Sequence, residues 1–404
     1  MRYKGINLEN VKISNRAAIL SVLNNNGAMS RKDMAQLVGL TPASLTLICN
    51  ELLEEKILIE EGEVEEEKRA GRRKRLVNIN YEYKKVLCVT IEALTTHLTV
   101  CNLAGKVLIE KVLDTDTSLA PEAFLKKIAA ESKNMMWEIA LAKEDILGIG
   151  VSVPGHVDRE RGLSKMAYRI WDEPVEVGAI LEAEIGVPVT VENNVKAFAK
   201  GELIYGTGKE QNNILFVKWG PGVGSAAIIA NRLYEGKNGD AGELGHNIVS
   251  KNVKKCRCGK CGCLETYVST QALLEKIKQC RQEKSMPQLE QWLKEDDAAG
   301  KELLGRDITK WGALKDEGLW EIFDESIECL AHAVANSVSL ICPDKIIVYG
   351  YLFDIPDFVE HFKAAYATYD PQMEEDYILK SELNEKISYI GSLAVIMDKF
   401  YSGE

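Results

Sequence analysis

Four of the chain's ten cysteines fall within eight residues, CRCGKCGC at 256–263. Thiols crowded in this way can form a redox pair, a disulfide knot or a metal site. Cys256, Cys258 and Cys263 share a loop tightened by Gly259 and Gly262, and His246 stands ten residues upstream. Three sulfurs and one imidazole are the usual donors of a closed, tetrahedral structural zinc site. The redox reading keeps Cys261, outside that set, as its free thiol. The remaining cysteines (Cys49, Cys88, Cys101, Cys280, Cys329 and Cys342) lie in apolar stretches and are expected in the core.

The surrounding chain narrows the choice. It has 404 residues, 46% hydrophobic and 27% charged, which suits a globular protein of two or three domains. No run of eighteen apolar residues offers a membrane span, and MRYKGINLENVKISNR lacks the apolar centre of a signal peptide. The expected location is the cytoplasm, where structural disulfides are rare. A net charge of −11 argues against nucleic-acid binding by the whole surface. Locally, though, the acidic run EEGEVEEE at 60–67 gives way to the basic run KRAGRRKR at 68–75.

What precedes those runs looks like a reader of DNA. Residues 13–24 carry Ala17, Ile19, Leu20, Val22 and Leu23 at helical spacing, with Ser14 as the expected N-cap and Gly27 as the stop. Ser30 to Asp33 resembles a capping box that opens a short helix ended by Gly39. Thr41 then caps a third helix with Pro42 at its first position. Helix, short helix, turn, helix is the order of a helix-turn-helix. In the third helix Leu45, Ile48, Cys49, Leu52 and Leu53 form an apolar face, while Ala43, Ser44, Thr46, Leu47 and Asn50 face outward. Ser, Thr and Asn near a helix N-terminus can bond base edges in the major groove. KILIEEGE and RKRLVNIN read as two strands of a wing, with Arg72, Arg73, Lys74 and Arg75 placed to meet phosphate. The expected DNA contacts are therefore Thr41, Ala43, Ser44, Thr46, Asn50 and these four basic residues. A three-helix module that docks a protein partner is the competing reading.

From about residue 84 the pattern becomes α/β. Three strands joined by tight turns (VLCVTIEALTTHLTVCNLAGKVLIEKVL) precede a helix, a strand, a helix and a strand. A second set begins at NILFVKWGPGVGSAAIIANRLY and ends with a helix feeding a buried strand in CLAHAVANSVSLICPDKIIVYGYL. Two such sets suggest a duplicated core with a ligand cleft between its halves. The expected domains are 1–80 (winged helix-turn-helix), 81–195 (first half) and 196–404 (second half with the cysteine knot).

The motifs GVSVPGHVD at 150–158, VENN at 191–194, GELGH at 242–246 and CRCGKCGCLE at 256–265 resemble those of the ROK proteins, which include sugar-responsive repressors and sugar kinases. The last motif matches the family's C-x-C-G-x-x-G-C-x-E pattern. This resemblance implies an actin/hexokinase-like α/β core, a structural zinc held by His246, Cys256, Cys258 and Cys263, and sugar contacts at Gly155, Asn193, Asn194, Glu243, His246 and Glu265. A winged helix ahead of that core looks like the xylose and N-acetylglucosamine repressor branch. Operator DNA, a small sugar effector and a homodimer or homotetramer are then the expected partners.

The kinases of the family carry D-x-G-G-T after the first strand. Thr90, Glu92, Ala93 and Leu94 fall at its Asp, its two glycines and its Thr. An acidic side chain where backbone must approach phosphate is both bulky and repulsive. Where the kinases have a catalytic Asp, this chain has Asn194, and an amide cannot accept the substrate proton. The expectation is a sugar-sensing repressor without enzyme activity, the alternative an active sugar kinase with a DNA-binding appendage.

Overall fold

The structure, a computed structural model, describes residues 7–64, 74–251, 254–281, 283–295 and 307–402. The N-terminal elements are α1 (Leu8–Asn26), β1 (Met29–Ser30), α2 (Arg31–Val38), α3 (Pro42–Glu54), β2 (Leu58–Val64) and β3 (Lys74–Ile79), with the strands in the order β1-β3-β2. These elements follow the order expected of a winged helix-turn-helix. Ser30 caps α2 by accepting the Asp33 N–H, and its hydroxyl donates to the Asp33 carboxylate at 2.7 Å. Gly39 closes α2 in the left-handed conformation, and Thr41 caps α3 with Pro42 behind it. The first helix departs from the sequence expectation: it begins at Leu8, not near Ser14. Asn7 is its N-cap, its side chain accepting the Asn10 N–H at 2.7 Å. The added turns are exposed, Val11 and Ile13 included, and bury no apolar face that would mark them as helix.

Next come β4 (Lys85–Ile91), β5 (Thr95–Asn102), β6 (Val107–Asp114), α4 (Pro121–Glu138), β7 (Ile146–Val153), β8 (His156–Asp158), β9 (Leu163–Met166), α5 (Val177–Ile185), β10 (Val189–Asn193) and α6 (Asn194–Tyr205). The second set is β11 (Ile214–Trp219), β12 (Val223–Ile229), β13 (Arg232–Leu233), α7 (Glu265–Val268), α8 (Thr270–Cys280), α9 (Pro287–Glu295), α10 (Ile308–Trp311), α11 (Glu317–Ile341), β14 (Lys345–Tyr349), α12 (Phe358–Ala367), β15 (Ile378–Lys380) and α13 (Ile390–Ser402). One five-stranded sheet runs β10-β7-β4-β5-β6 and the other β15-β14-β11-β12-β13. In each, the lead strand (β4 or β11) pairs antiparallel with the next strand on one side and parallel with a later strand on the other. The matching order is the duplication expected from the sequence.

The compact units divide elsewhere than at residue 195. One comprises the chain up to Tyr205 together with 385–404; the other comprises 206–384. α6 and α13 belong to the first unit, and the reason lies in the strand β7. Its residues alternate by size: Ile149, Val151 and Val153 join the core with Phe124, Leu125 and Ile128 of α4 and Leu181 and Ile185 of α5. Gly148, Gly150 and Ser152 face the other way, and there α13 lies so close that a Cβ on Gly150 would sit 1.9 Å from the Ser392 carbonyl oxygen. Ser392 also joins Thr90 and Ser152 in a buried hydroxyl triangle, with oxygens 2.9, 3.2 and 3.0 Å apart.

The second unit's core gathers Trp219, Phe323, Phe353, Phe358 and Phe362. The described part of 281–320 forms helices whose Leu289, Leu293 and Trp311 enter this core, with Trp292 edge-on to Trp311 at 5.8 Å. Cys49, Cys88 and Cys101 are buried as expected, while Cys280 and Cys329 are half-buried. Cys342 is exposed, a correction: it ends α11 in the left-handed conformation (φ 49°), a capping position rather than a core one. Gly150→Ala should lower stability by about 1–3 kcal/mol through overpacking against α13, measured as a fall in the urea midpoint.

Candidate functional site

The cysteine knot assembles as the spacing suggested. The ligand atoms of His246, Cys256, Cys258 and Cys263 all lie within 4.8 Å of one another. The turn is made by Gly259 and Gly262 at φ 88° and 77°, a region that suits glycine, and by the Lys255–Cys261 and Ile248–Cys263 bridges. Cys261 is exposed, outside the cluster. The Cys258 and Cys263 sulfurs are 3.6 Å apart, and Cys256 Sγ is 3.6 Å from His246 Nδ1. Tetrahedral zinc with bonds of ~2.3 Å to sulfur and ~2.1 Å to nitrogen requires edges of roughly 3.8 and 3.6 Å, so the four residues fit such an ion. Their protonation fits as well. Burial pushes the Cys263 thiol up to about 12, aided by its two neighbours, and burial raises Cys256 too. At Cys258 burial is outweighed by hydrogen bonds, chiefly from the Lys260 backbone, and the thiol is lowered. Three thiols together resist shared ionisation, and a divalent cation removes that resistance.

The imidazole links the knot to a carboxylate. Its Nδ1 faces the sulfurs while its Nε2 lies 3.7 Å from Glu243 Oε2. Glu265, which opens α7, turns its Oε2 onto the Val223 N–H at 3.1 Å. A Cβ on Gly222 would stand 2.7 Å from that same oxygen. Glu265 therefore braces the glycine turn between β11 and β12.

In the first unit the site residues come together at the start of α6. Asn193 Oδ1 accepts the Val195 and Lys196 N–H groups at 2.9 and 3.2 Å, and its Nδ2 donates to the Gly155 carbonyl at 2.7 Å. Gly155 has φ 94°, and a Cβ there would lie 2.3 Å from the Met166 carbonyl oxygen, so only glycine fits. Asn194 Nδ2 donates to Glu92 Oε1 at 2.9 Å. The two residues that the sequence resemblance sets against the kinases' catalytic Asp and one of their phosphate-loop glycines thus bond each other. Thr90, which the same resemblance sets against the loop's Asp, is buried in the hydroxyl triangle. Trp171 packs in the core with its indole N–H on Ser164 Oγ, and Tyr168 Oη is 3.0 Å from His156 Nε2.

On α3, Ala43, Ser44, Leu47 and Asn50 are exposed. The Thr41 and Ser44 hydroxyls bond each other at 2.8 Å, and the Thr46 hydroxyl donates to the Pro42 carbonyl at 2.7 Å. Leu47, 63% exposed, was placed on this face by periodicity but not among the expected contacts; an exposed leucine in an outward helix stripe was the available signal. Of the wing residues, Arg72 and Arg73 lie outside the described residues and Lys74 is described only in its backbone. Arg75 Nη1 lies 2.9 Å from Glu60 Oε2, and Glu60 also meets Arg31 at 3.3 Å. The acidic run thus holds this part of the basic run from within the wing.

The profile of the ROK family matches residues 86–399. The chain belongs to the ROK family. Relatives of this ROK protein include the xylose repressor of Bacillus subtilis, 25% identical over 96% of each chain. A glucokinase of Streptomyces coelicolor is 31% identical over 60% of this chain and 75% of its own. Among solved structures, a ROK family transcriptional regulator described as a homologue of the Escherichia coli MLC protein superposes with a TM-score of 0.82, at 23% identity over 98% of both chains. Repressors and kinases are both among the relatives. Among the described residues no helix is long and apolar enough to cross a membrane.

Purified full-length protein should carry about one zinc per chain by atomic emission. Cys258→Ser should abolish the metal and lower Tm, whereas Cys261→Ser should leave both unchanged.

Proposed function

We propose that this ROK protein is a sugar-responsive transcriptional repressor that does not phosphorylate its sugar. The observation that carries the reading is the Asn194–Glu92 hydrogen bond. It occupies the positions from which the family's kinases cradle phosphate and take the hydroxyl proton, and an amide bonded to a carboxylate does neither. The winged helix ahead of the core supports the repressor side, as does the near-complete span of the match to a xylose repressor.

On this reading Asn193, Asn194, Gly155, Glu243, His246 and Glu265 bind sugar hydroxyls. Asn193 already spends its oxygen on the α6 cap and one amide hydrogen on Gly155, so its other hydrogen is the donor for a hydroxyl. Zinc at His246, Cys256, Cys258 and Cys263 supplies cross-linking of the 256–263 loop. His246 then orients Glu243 through its second nitrogen, as ligating histidines do with their outer partners. The operator contacts are Thr41, Ala43, Ser44, Thr46, Asn50 and the wing residues Arg72, Arg73, Lys74 and Arg75. Two copies related by a two-fold axis would present two α3 helices to a palindromic site.

A thermal-shift panel of pentoses, hexoses and amino sugars, D-xylose first, should yield one stabilising ligand, and a coupled ATPase assay with that sugar should read zero. Sugar-dependent ATP turnover would overturn the reading in favour of the kinase. Asn193→Ala and Glu243→Ala should each still shift an operator selected from random duplexes, with the sugar response gone. The exposed Ala43 and Leu47 further suit thymine methyl groups. Replacing the contacted thymine by deoxyuridine should weaken wild-type binding about fourfold, the worth of a buried methyl at ~0.8 kcal/mol, and should leave Leu47→Ala unaffected.

A further inference from the structure

The helix α6 starts at the proposed sugar residues and ends on the winged helix. Asn193 caps its first turn. Eleven residues later, about 16 Å along the axis at 1.5 Å per residue, the Ile204 carbonyl accepts the side-chain amide of Asn24, on α1, at 3.1 Å. The same side chain serves a second helix: Asn24 Oδ1 accepts the Tyr401 hydroxyl of α13 at 3.0 Å. α6 and α13 are themselves fastened together by buried charge. Lys200, 3% exposed, holds Asp398 at 2.8 Å and Glu192 at 3.5 Å, and Glu192 Oε1 accepts the Asn193 N–H at 2.9 Å. Lys200 and Glu192 are deeply buried and costly to part, and the part-exposed Asp398 ties Lys200 to α13, so the Asn193 turn, α6 and α13 behave as one piece.

Beside this joint a half-open groove of about 520 Å³ is lined by Ile13, Ala17 and Leu20 of α1 and by Gly148, Val189 and Ile396. One end of α1 is pinned at Asn24 while the residues one to three turns before it border open space.

We propose that Asn24 is the coupling residue of the repressor, the point through which sugar at the Asn193 turn moves the DNA-reading domain. The proposal rests on the sugar-responsive reading above. A displacement of the α6–α13 piece reaches α1 through the two hydrogen bonds of one amide, and α1 rocks about that point into the groove. Coupling of this kind needs an element with two arrangements that both sites bias, and a pinned helix beside a groove provides it.

The test uses the full-length chain, an operator selected by the wild type from random duplexes, and D-xylose and D-glucose as effector probes. Three quantities are measured: operator affinity alone, sugar affinity alone, and operator affinity at saturating sugar. In the wild type the sugar should change operator affinity by about 5- to 150-fold. In Asn24→Ala both separate affinities should hold within about twofold while the sugar-induced change falls below about twofold. Tyr401→Phe, which removes only a hydroxyl, should show a partial loss. Ala17→Phe, which fills the groove, should bind both ligands and stay on its operator. A full sugar-induced change in Asn24→Ala overturns the proposal. If that variant fails to bind operator at all, a full change in both Tyr401→Phe and Ala17→Phe overturns it instead. A wild type that binds operator but answers neither sugar sinks the repressor reading itself, and the coupling role with it, before any variant is compared.

Discussion

The first unit depends on how closely α13 can approach its sheet. Gly148 and Gly150 put bare backbone where side chains would stand, and the helix settles onto them until its Ser392 reaches the hydroxyls of Thr90 and Ser152. Everything at that end is referred to this contact. α6 is held to α13 by Lys200 and Asp398, the Asn193 turn is held to α6 by its own cap, and Phe400 and Tyr401 reach the core of the winged helix. The buried triangle is itself polar, so each hydroxyl must stay partnered, which fixes where along the strands the helix can rest.

The second unit is organised by a different economy. Its cysteine loop has little apolar surface of its own, and four ligand atoms converge there instead. Small segments that cannot bury enough apolar area are commonly held by a metal or by disulfides. Here the fourth member of the cluster is a histidine, whose second ring nitrogen lies toward Glu243, so the cluster and the polar group beside it share one side chain. Glu265, two residues beyond the last cysteine, does comparable service for the glycine turn of Gly222 and Val223.

What could be read from the sequence was what lies close together along it. The cysteine loop and the Ser30 and Thr41 caps are each contained within a dozen residues, and each took the expected form. The exception among local features was α1, whose first turns are exposed, Val11 and Ile13 included, and bury no apolar face. Contacts between distant segments left no trace: Asn24 and Tyr401 are 377 positions apart, and neither residue type nor spacing marks them. The assignment of α6 and α13 to the first unit was hidden for the same reason, since a helix pattern tells which face is apolar but not which sheet it covers. Glu92 and Asn194 were singled out as losses relative to the kinases; that they bond each other is a fact of three dimensions.

The discontinuity of the first unit bears on how the protein is made. Its sheet is complete once β10 has emerged, yet the helix that covers one face begins at residue 390, after the whole of 206–384. At about 5–20 residues per second, the ribosome needs roughly 10–40 s to synthesise the intervening stretch. For that interval the glycine-lined face of the sheet is open, as is the side of the winged helix that later receives Phe400 and Tyr401. Nascent chains with such a face exposed are prone to aggregate or to recruit chaperones. The N-terminal domain, whose three helices and three strands are all encoded before residue 80, can fold early; it receives Phe400 and Tyr401 only after the last helix has been made.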